Sequence, residues 1–279
     1  MSNLEREIPG YHSGNRLIRR ASEEAARFSS RRQFSRGSLD NLDKAVTLWQ
    51  NGKEAWIASN HESDADGPLV AVSLRDGGHP EFLDKMFLLM GDKILRKKFR
   101  GWVASSYRQV VVPQQGSGNG NTRELLKTAN NAIPALLKEG MVAFSFPEGT
   151  RSRDGLLHNA TSVLGHYIGD EAFVLPMALE GARELWPVEG FPNFGSEVTF
   201  HFGKPILMTE IIGEIEGYEK NSGKRVTKNK RNEIIVDVIM RRGIAPLLPE
   251  RKRGEYSDFS VSVSDLLRNG NHKQKMLIA

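Results

Sequence analysis

The sequence predicts an α/β fold, a mixed sheet flanked by helices with a short helical extension at its N-terminus. Two observations carry this. Apolar runs of strand length recur at 55–58, 141–146, 173–179 and 198–202. Between them stand longer segments with apolar residues at helical spacing, and that alternation implies one sheet covered by helices. At 279 residues the chain is long enough for one domain with a real core plus an appendage. It divides into a basic N-terminal extension (1–44), a main domain (45–250) and a C-terminal tail (251–279) whose weak periodicity predicts partial fraying.

In the extension, Leu17, Ala21, Ala25 and Phe28 recur at helical spacing, flanked by Arg16, Arg19, Arg20, Arg27, Arg31 and Arg32. Two readings fit: a basic amphipathic helix lying on anionic lipid, or a helix capping the domain with a solvated face. In the main domain, 55–58 reads as a buried strand, punctuated shortly afterwards by Gly67-Pro68. A further strand covers 107–113. The glycine-rich stretch 116–121 lacks both the Gly-Lys-Ser/Thr ending and the Gly-x-Gly-x-x-Gly pattern of nucleotide cradles, which makes it a mobile loop. Asn121-Thr122-Arg123-Glu124 forms a capping box for a helix through Leu125, Leu126, Ala129, Leu136 and Leu137, kinked at Pro134. The strand at 141–146 ends at Pro147. Helices are expected over 160–168 and 227–242, with the polar tract 213–229 as a connector.

Composition narrows the partners. Lys plus Arg number 39 against 34 Asp plus Glu, a net charge of +5. Such a chain suits anionic lipid, coenzyme A phosphates or an acidic carrier protein, and charge alone would equally suit nucleic acid. With no cysteine there is no disulfide, thiolate nucleophile or thiolate-bound metal. No apolar run approaches the roughly 18 residues of a membrane span, and the N-terminus lacks an apolar signal core. Glu23 and Glu24 argue against an uncleaved transit peptide. The six histidines other than His61 show no metal-binding spacing, and no Gly-x-Ser-x-Gly elbow occurs, so neither metal nor serine nucleophile is expected.

Two segments carry chemistry. The first is Ser59-Asn60-His61-Glu62-Ser63-Asp64-Ala65-Asp66, straight after an apolar run. Along a regular helix, five residues rotate about 500°, which would leave His61 and Asp66 some 140° apart. They meet only if the chain turns between them, at a strand-to-helix junction. Asp66 would then fix the imidazole tautomer and leave the other ring nitrogen free to take a proton. The second segment is Phe146-Pro147-Glu148-Gly149-Thr150-Arg151-Ser152, where Gly149 permits close backbone approach. In an extended stretch Arg151 and Arg153 face one side and could grip one phosphate together.

Asn60-His61 with Asp66, followed by Phe146–Ser152 in this order and spacing, resembles the glycerolipid acyltransferase superfamily. The likeness extends over about residues 45–210, through Val174-Leu175-Pro176 and the strand before Gly203-Lys204-Pro205. Gly91-Asp92-Lys93, Lys97-Lys98-Phe99-Arg100-Gly101 and Asn121-Thr122-Arg123 resemble the soluble, plastid-type glycerol-3-phosphate acyltransferases more narrowly. One block departs: where the family's middle strand ends in a basic residue, this chain has Pro113 and Gln114-Gln115. Either Arg123, Arg108 or Lys98 supplies that charge, or the acceptor differs.

The resemblance implies a glycerol-3-phosphate acyltransferase-like fold and transfer of a fatty acyl group from acyl-CoA or acyl carrier protein to glycerol-3-phosphate. Acylation of 1-acylglycerol-3-phosphate or another lysolipid is the alternative, and an idle basic lipid- or nucleic-acid-binding module the competitor from another class. His61 and Asp66 would be catalytic; Arg151, Arg153, Arg123, Glu148, Gly149 and Thr150 would bind the acceptor phosphate. No cofactor beyond the acyl donor is expected. The expected partners are that donor, the phosphorylated glycerol and, transiently, an anionic membrane surface, with no nucleic acid. The expected location is the cytoplasm or plastid stroma, soluble or peripheral to a membrane.

Overall fold

The computed structural model describes residues 3–94, 103–113, 122–161, 163–187 and 191–268. The glycine-rich stretch 116–120, the 97–101 stretch, Gln114-Gln115 and the tail from 269 lie outside these. Nine strands form one sheet: β1 (Tyr11–His12), β2 (Ser30–Phe34), β3 (Ala55–Ser59), β4 (Met86–Gly91), β5 (Gln109–Val112), β6 (Val142–Ser145), β7 (Phe173–Glu180), β8 (Ser196–Phe202) and β9 (Ile206–Leu207). Their order is β1-β5-β4-β6-β3-β7-β8-β2, with β9 pairing β7. The five central strands β5, β4, β6, β3 and β7 run parallel. Parallel strands are buried on both faces, which is why 55–58, 142–145 and 173–179 read as unbroken apolar runs.

Alternate side chains feed two cores. Trp56, Ala143 and Val174 face the helices Thr122–Lys138, Met208–Ser222 and Lys228–Val238. Ile57, Phe144 and Leu175 face the helices Ser38–Gln50, Asp66–Asp76 and Pro80–Asp84. The mixed α/β sandwich follows from that alternation.

Four sequence expectations are corrected. The 1–44 segment is not only helical, because β1 and β2 join opposite edges of the sheet. The 213–229 tract is largely helix, Met208–Ser222, ended by Gly223 in the left-handed conformation (φ 69°). Met208, Ile211 and Ile215 give it a buried stripe that begins before the charged residues, so the tract 213–229 shows mainly the polar face of the element. The 160–168 helix is shorter, Val163–Tyr167. In the tail, residues up to 268 form turns at Glu250–Lys252 and Gly254–Tyr256 and the helix Val263–Arg268, with Tyr256 fully buried. Pro134 sits within the Thr122–Lys138 helix, which continues past it. The Lys228–Val238 helix runs on as a π-helical stretch to Ile244.

The Arg16–Ser29 helix packs against Asp66–Asp76 by its charged face. Glu23, fully buried, lies 2.5 Å from Arg75 and 3.5 Å from Arg19. Arg27 and Arg32 reach Asp76 at 3.5 and 3.0 Å. The stripe Leu17, Ala21, Ala25 and Phe28 faces solvent. This helix therefore both packs on the domain and shows its apolar side outward, which combines parts of the two readings of the sequence.

Candidate active site

β3 and β6 are adjacent and parallel, so the loops leaving their C-terminal ends meet, and open parallel sheets present ligand sites at that edge. The β3 loop is fixed at its root by Asn60. Its amide donates to the Leu179 carbonyl at 3.0 Å and accepts from Leu179 N–H at 2.8 Å, extending the sheet ladder by a side chain. Beyond it the chain turns tightly around Asp66. One carboxylate oxygen, Oδ2, accepts from the backbone N–H of Glu62 (2.7 Å) and Ser63 (2.9 Å) and lies 2.8 Å from His61 Nδ1. Asp66 also opens the Asp66–Asp76 helix. With Oδ2 already accepting from two amides, Nδ1 is placed to be its third donor, the tautomer that leaves Nε2 as a base. Phe146 stacks on the imidazole, ring centroids 3.9 Å apart and 12° from parallel, and holds the ring in this orientation.

Glu148 ties the β6 loop to the β3 loop. One of its carboxylate oxygens accepts from His61 N–H at 3.2 Å and the other from His158 N–H at 2.8 Å. Ser152 N–H donates to the His61 carbonyl at 2.7 Å. Burial pushes the Glu148 carboxyl up to about 7 against the opposing pull of those amides. Gly149 adopts φ 69°, the left-handed conformation that this turn requires.

A cavity of about 500 Å³ opens at this junction. His61, Ser63, Glu148, Gly149 and Thr150 line it together with Lys93. Its apolar wall comes from β4, β6 and neighbouring residues: Leu88, Met90, Ile94, Val103, Phe144 and Phe146. A polar end facing mostly hydrocarbon suits a ligand with a polar head and an apolar body.

The expected phosphate cluster is only partly assembled. Glu148, Gly149 and Thr150 line the cavity, and Arg151 stands beside it, 2.5 Å from Asp64, itself a lining residue. Arg153 and Arg123 are exposed and line no part of it. The reason for Arg153 is local. The segment after Gly149 turns, with Gly155 N–H donating to Ser152 Oγ at 2.9 Å, and Arg153 is exposed while Arg151 is half-buried against Asp64. Arg123 sits on the outer face of its helix.

Three contributors escaped the sequence reading. Lys93, two residues after β4, lines the cavity, and the sequence marks it only within the Gly91-Asp92-Lys93 tripeptide. Lys252 and Tyr256 come from the C-terminal turns: the Lys252 carbonyl accepts from Leu157 N–H and Tyr256 Oη from Ala160 N–H, each at 3.0 Å. Lys252 Nζ also reaches the buried Glu62 at 3.2 Å. Burial lifts the Glu62 carboxyl to about 7, with Lys252 opposing the rise. Nothing local in the sequence marks these contacts.

Among the described residues no cluster of His, Asp or Glu is arranged to hold a metal ion, and no helix is long and apolar enough to cross a membrane. The family model described as Acyltransferase matches residues 36–180, which include both loops. No curated protein matches the chain. Among solved structures, the 1-acyl-sn-glycerophosphate (LPA) acyltransferase PlsC from Thermotoga maritima is similar at a TM-score of 0.47 and 18% identity, covering 76% of this chain and 80% of that one.

Proposed function

The chain belongs to the acyltransferase family, and from that premise we propose that it transfers a fatty acyl group from acyl-CoA or acyl carrier protein to the hydroxyl of glycerol-3-phosphate. The observation that carries the proposal is the His61–Asp66 contact at the mouth of a largely apolar cavity. His61 Nε2 takes the proton of the acceptor hydroxyl while Asp66 holds the ring and stabilises the imidazolium. The acceptor oxygen attacks the thioester carbonyl, the tetrahedral oxyanion collapses, the C–S bond breaks, and the thiolate leaves with the proton from His61. No acyl-enzyme is needed, because a thioester is already activated.

The acyl chain lies along Leu88, Met90, Ile94 and Phe144. The acceptor phosphate meets Lys93, which lines the cavity, and Arg151, which exchanges Asp64 for the stronger dianion. These two take the place expected of Arg153 and Arg123.

A second reading, acylation of 1-acylglycerol-3-phosphate, is favoured by exposed aromatic side chains at the same end of the sheet, which suit an acceptor drawn from a bilayer. An idle binding module would have no use for a base hydrogen-bonded to a carboxylate that two backbone amides also hold in place. The deciding experiment gives purified protein one radiolabelled acyl-CoA, or its carrier-protein counterpart, and a panel of acceptors. Turnover on glycerol-3-phosphate well above lysophosphatidate supports the first reading, and the reverse supports the second. No ester with any hydroxyl acceptor would refute both.

A further inference from the structure

The sheet topology gathers large apolar side chains at the end where the candidate site opens. β3 delivers His61 from its C-terminal end, and β7 runs parallel to it. β8 is antiparallel to β7, with Glu180 opposite Thr199, so its first residue, Ser196, stands at the His61 end. β2 pairs with β8 from Ser30 opposite Ser196. Phe28 and Phe194, each two residues before one of these strands, therefore emerge at the same end. Gly195 N–H donates to the Ser29 carbonyl at 2.7 Å, and Arg31 Nε donates to the Gly195 carbonyl at 2.9 Å, which locks the two approaches together.

Phe28 is 87% exposed, Phe191 92% and Phe194 72%. A single exposed aromatic is ordinary, but Phe28 and Phe194 brought to one end of the sheet, with Phe191 three residues before Phe194, mark an interaction surface. Leu17, 80% exposed, continues the line from Phe28 along the Arg16–Ser29 helix. Arg16, Arg20, Arg27 and Arg31 border it, all exposed. The charged face of that helix is the one spent on packing, where Glu23 meets Arg75 and Arg19 meets Asp84. An isolated amphipathic helix on a soluble protein is oriented the other way.

We propose that Phe28, Phe191 and Phe194, bordered by Arg27 and Arg31, form a peripheral docking patch for an anionic lipid bilayer, with the aromatic rings entering the headgroup region and the arginines meeting lipid phosphates. The charge of the border selects the occupant: cations around protruding aromatic side chains complement an anionic surface that such rings can penetrate. The patch serves the acyltransferase reading, whose lipid product partitions into membranes, and so rests on that reading for its purpose. Its position at the His61 end would set the cavity beside the bilayer.

The test is co-sedimentation of the full chain with vesicles of phosphatidylglycerol and phosphatidylcholine, at low and high salt, against vesicles of phosphatidylcholine alone. Wild type is expected to bind the anionic vesicles and to lose only part of that binding in high salt, since aromatic insertion is not screened. The triple variant Phe28→Ser/Phe191→Ser/Phe194→Ser should lower the partition coefficient at least tenfold. Leu126→Ser, at an exposed apolar residue away from the patch, should leave it unchanged. Circular dichroism establishes that each variant is folded. Wild type that ignores anionic vesicles, a triple variant that binds like wild type, or equal binding to pure phosphatidylcholine would each overturn the proposal. A triple variant that keeps vesicle binding but raises the KM of a carrier-protein donor would give the patch to that acidic protein instead. Binding is read without turnover, so a chain inactive on every acceptor could still pass this test, and the two proposals fail separately.

Discussion

The two loops that build the candidate site are neighbours in space but are held by different means. The loop after β3 closes around one of its own residues: donors at Glu62, Ser63 and His61 all converge on Asp66, five residues or fewer away, with Glu148 and Lys252 adding support from outside. The loop after β6 has internal turns too, but it is also tied down by three remote groups: the His61 carbonyl, the Lys252 carbonyl and the Tyr256 hydroxyl. A loop closed on itself fixes a reactive geometry that any similar sequence would reproduce. A loop braced by remote residues depends on the rest of the fold. The difference predicts that damage to the first loop will appear in kcat, and that damage to the second will appear in binding and stability.

The largest effect should follow from the first loop. His61→Ala is expected to fold and to bind both substrates nearly as wild type, yet to lower kcat by about 10²–10⁴, the usual cost of a lost general base. Asp66→Asn should act in the same direction by favouring the wrong tautomer, with an added stability cost, since Oδ2 also serves two backbone amides. Steady-state kinetics check both. A folded His61→Ala variant with near wild-type kcat would end the assignment of the base.

The second loop should respond differently. Arg151→Ala removes a charge-assisted contact worth about 1.5–3 kcal/mol, so the acceptor KM should rise roughly tenfold or more while the donor KM and kcat change little. Lys93→Ala should do likewise, whereas Arg153→Ala and Arg123→Ala, exposed and outside the cavity, should be near neutral. A donor KM that rises alone would move Arg151 to coenzyme A or the carrier protein.

The same contrast explains what could be read from the sequence. The His61–Asp66 partnership was legible because it is local: five residues, one turn, one strand before and one helix after. The central strands were legible as apolar runs because parallel strands are buried on both faces. The expected Arg151–Arg153 pairing rests on extended chain, and the chain turns at Ser152. Lys252 stands 190 residues from the Glu62 it meets, and no periodicity reports a contact at that distance. β1 has two residues, and β2 reads Ser-Arg-Arg-Gln-Phe, a charged edge strand of the kind that resists further pairing and carries little strand signature. The stripe at Leu17 and Phe28 was visible, but which face the helix buries was decided by ion pairs to Arg75 and Asp84.

Remote bracing can be tested without touching the reacting groups. Tyr256→Phe deletes the hydroxyl that receives Ala160 N–H inside the protein and should cost about 1–2 kcal/mol of stability, seen as a lower denaturation midpoint at unchanged m. The acceptor KM should rise by less than in Arg151→Ala, because the β6 loop loosens without losing its cation. An effect on kcat as large as that of His61→Ala would mean that the two loops are not separable.

The smallest expected effect lies at the strut between Lys252 and Glu62. The Glu62 carboxyl stands at about 7 in the folded protein, against an ordinary 4.5, because burial penalises its charge more than Lys252 relieves it. Between those two values the folded chain binds a proton that the unfolded chain releases. The stabilising contribution is therefore complete below about 4.5 and is lost as pH rises through 7. Glu62→Gln removes the titration, so its thermal midpoint should fall less than that of wild type between pH 5 and 8. The difference should be on the order of 1 kcal/mol, or about 2–4 °C in Tm. Glu148, also raised to about 7, titrates in the same window and remains in both proteins, so it cancels from the comparison. Parallel Tm-against-pH curves for wild type and Glu62→Gln would show that the strut holds an ionised Glu62 throughout, and that Lys252 outweighs its burial.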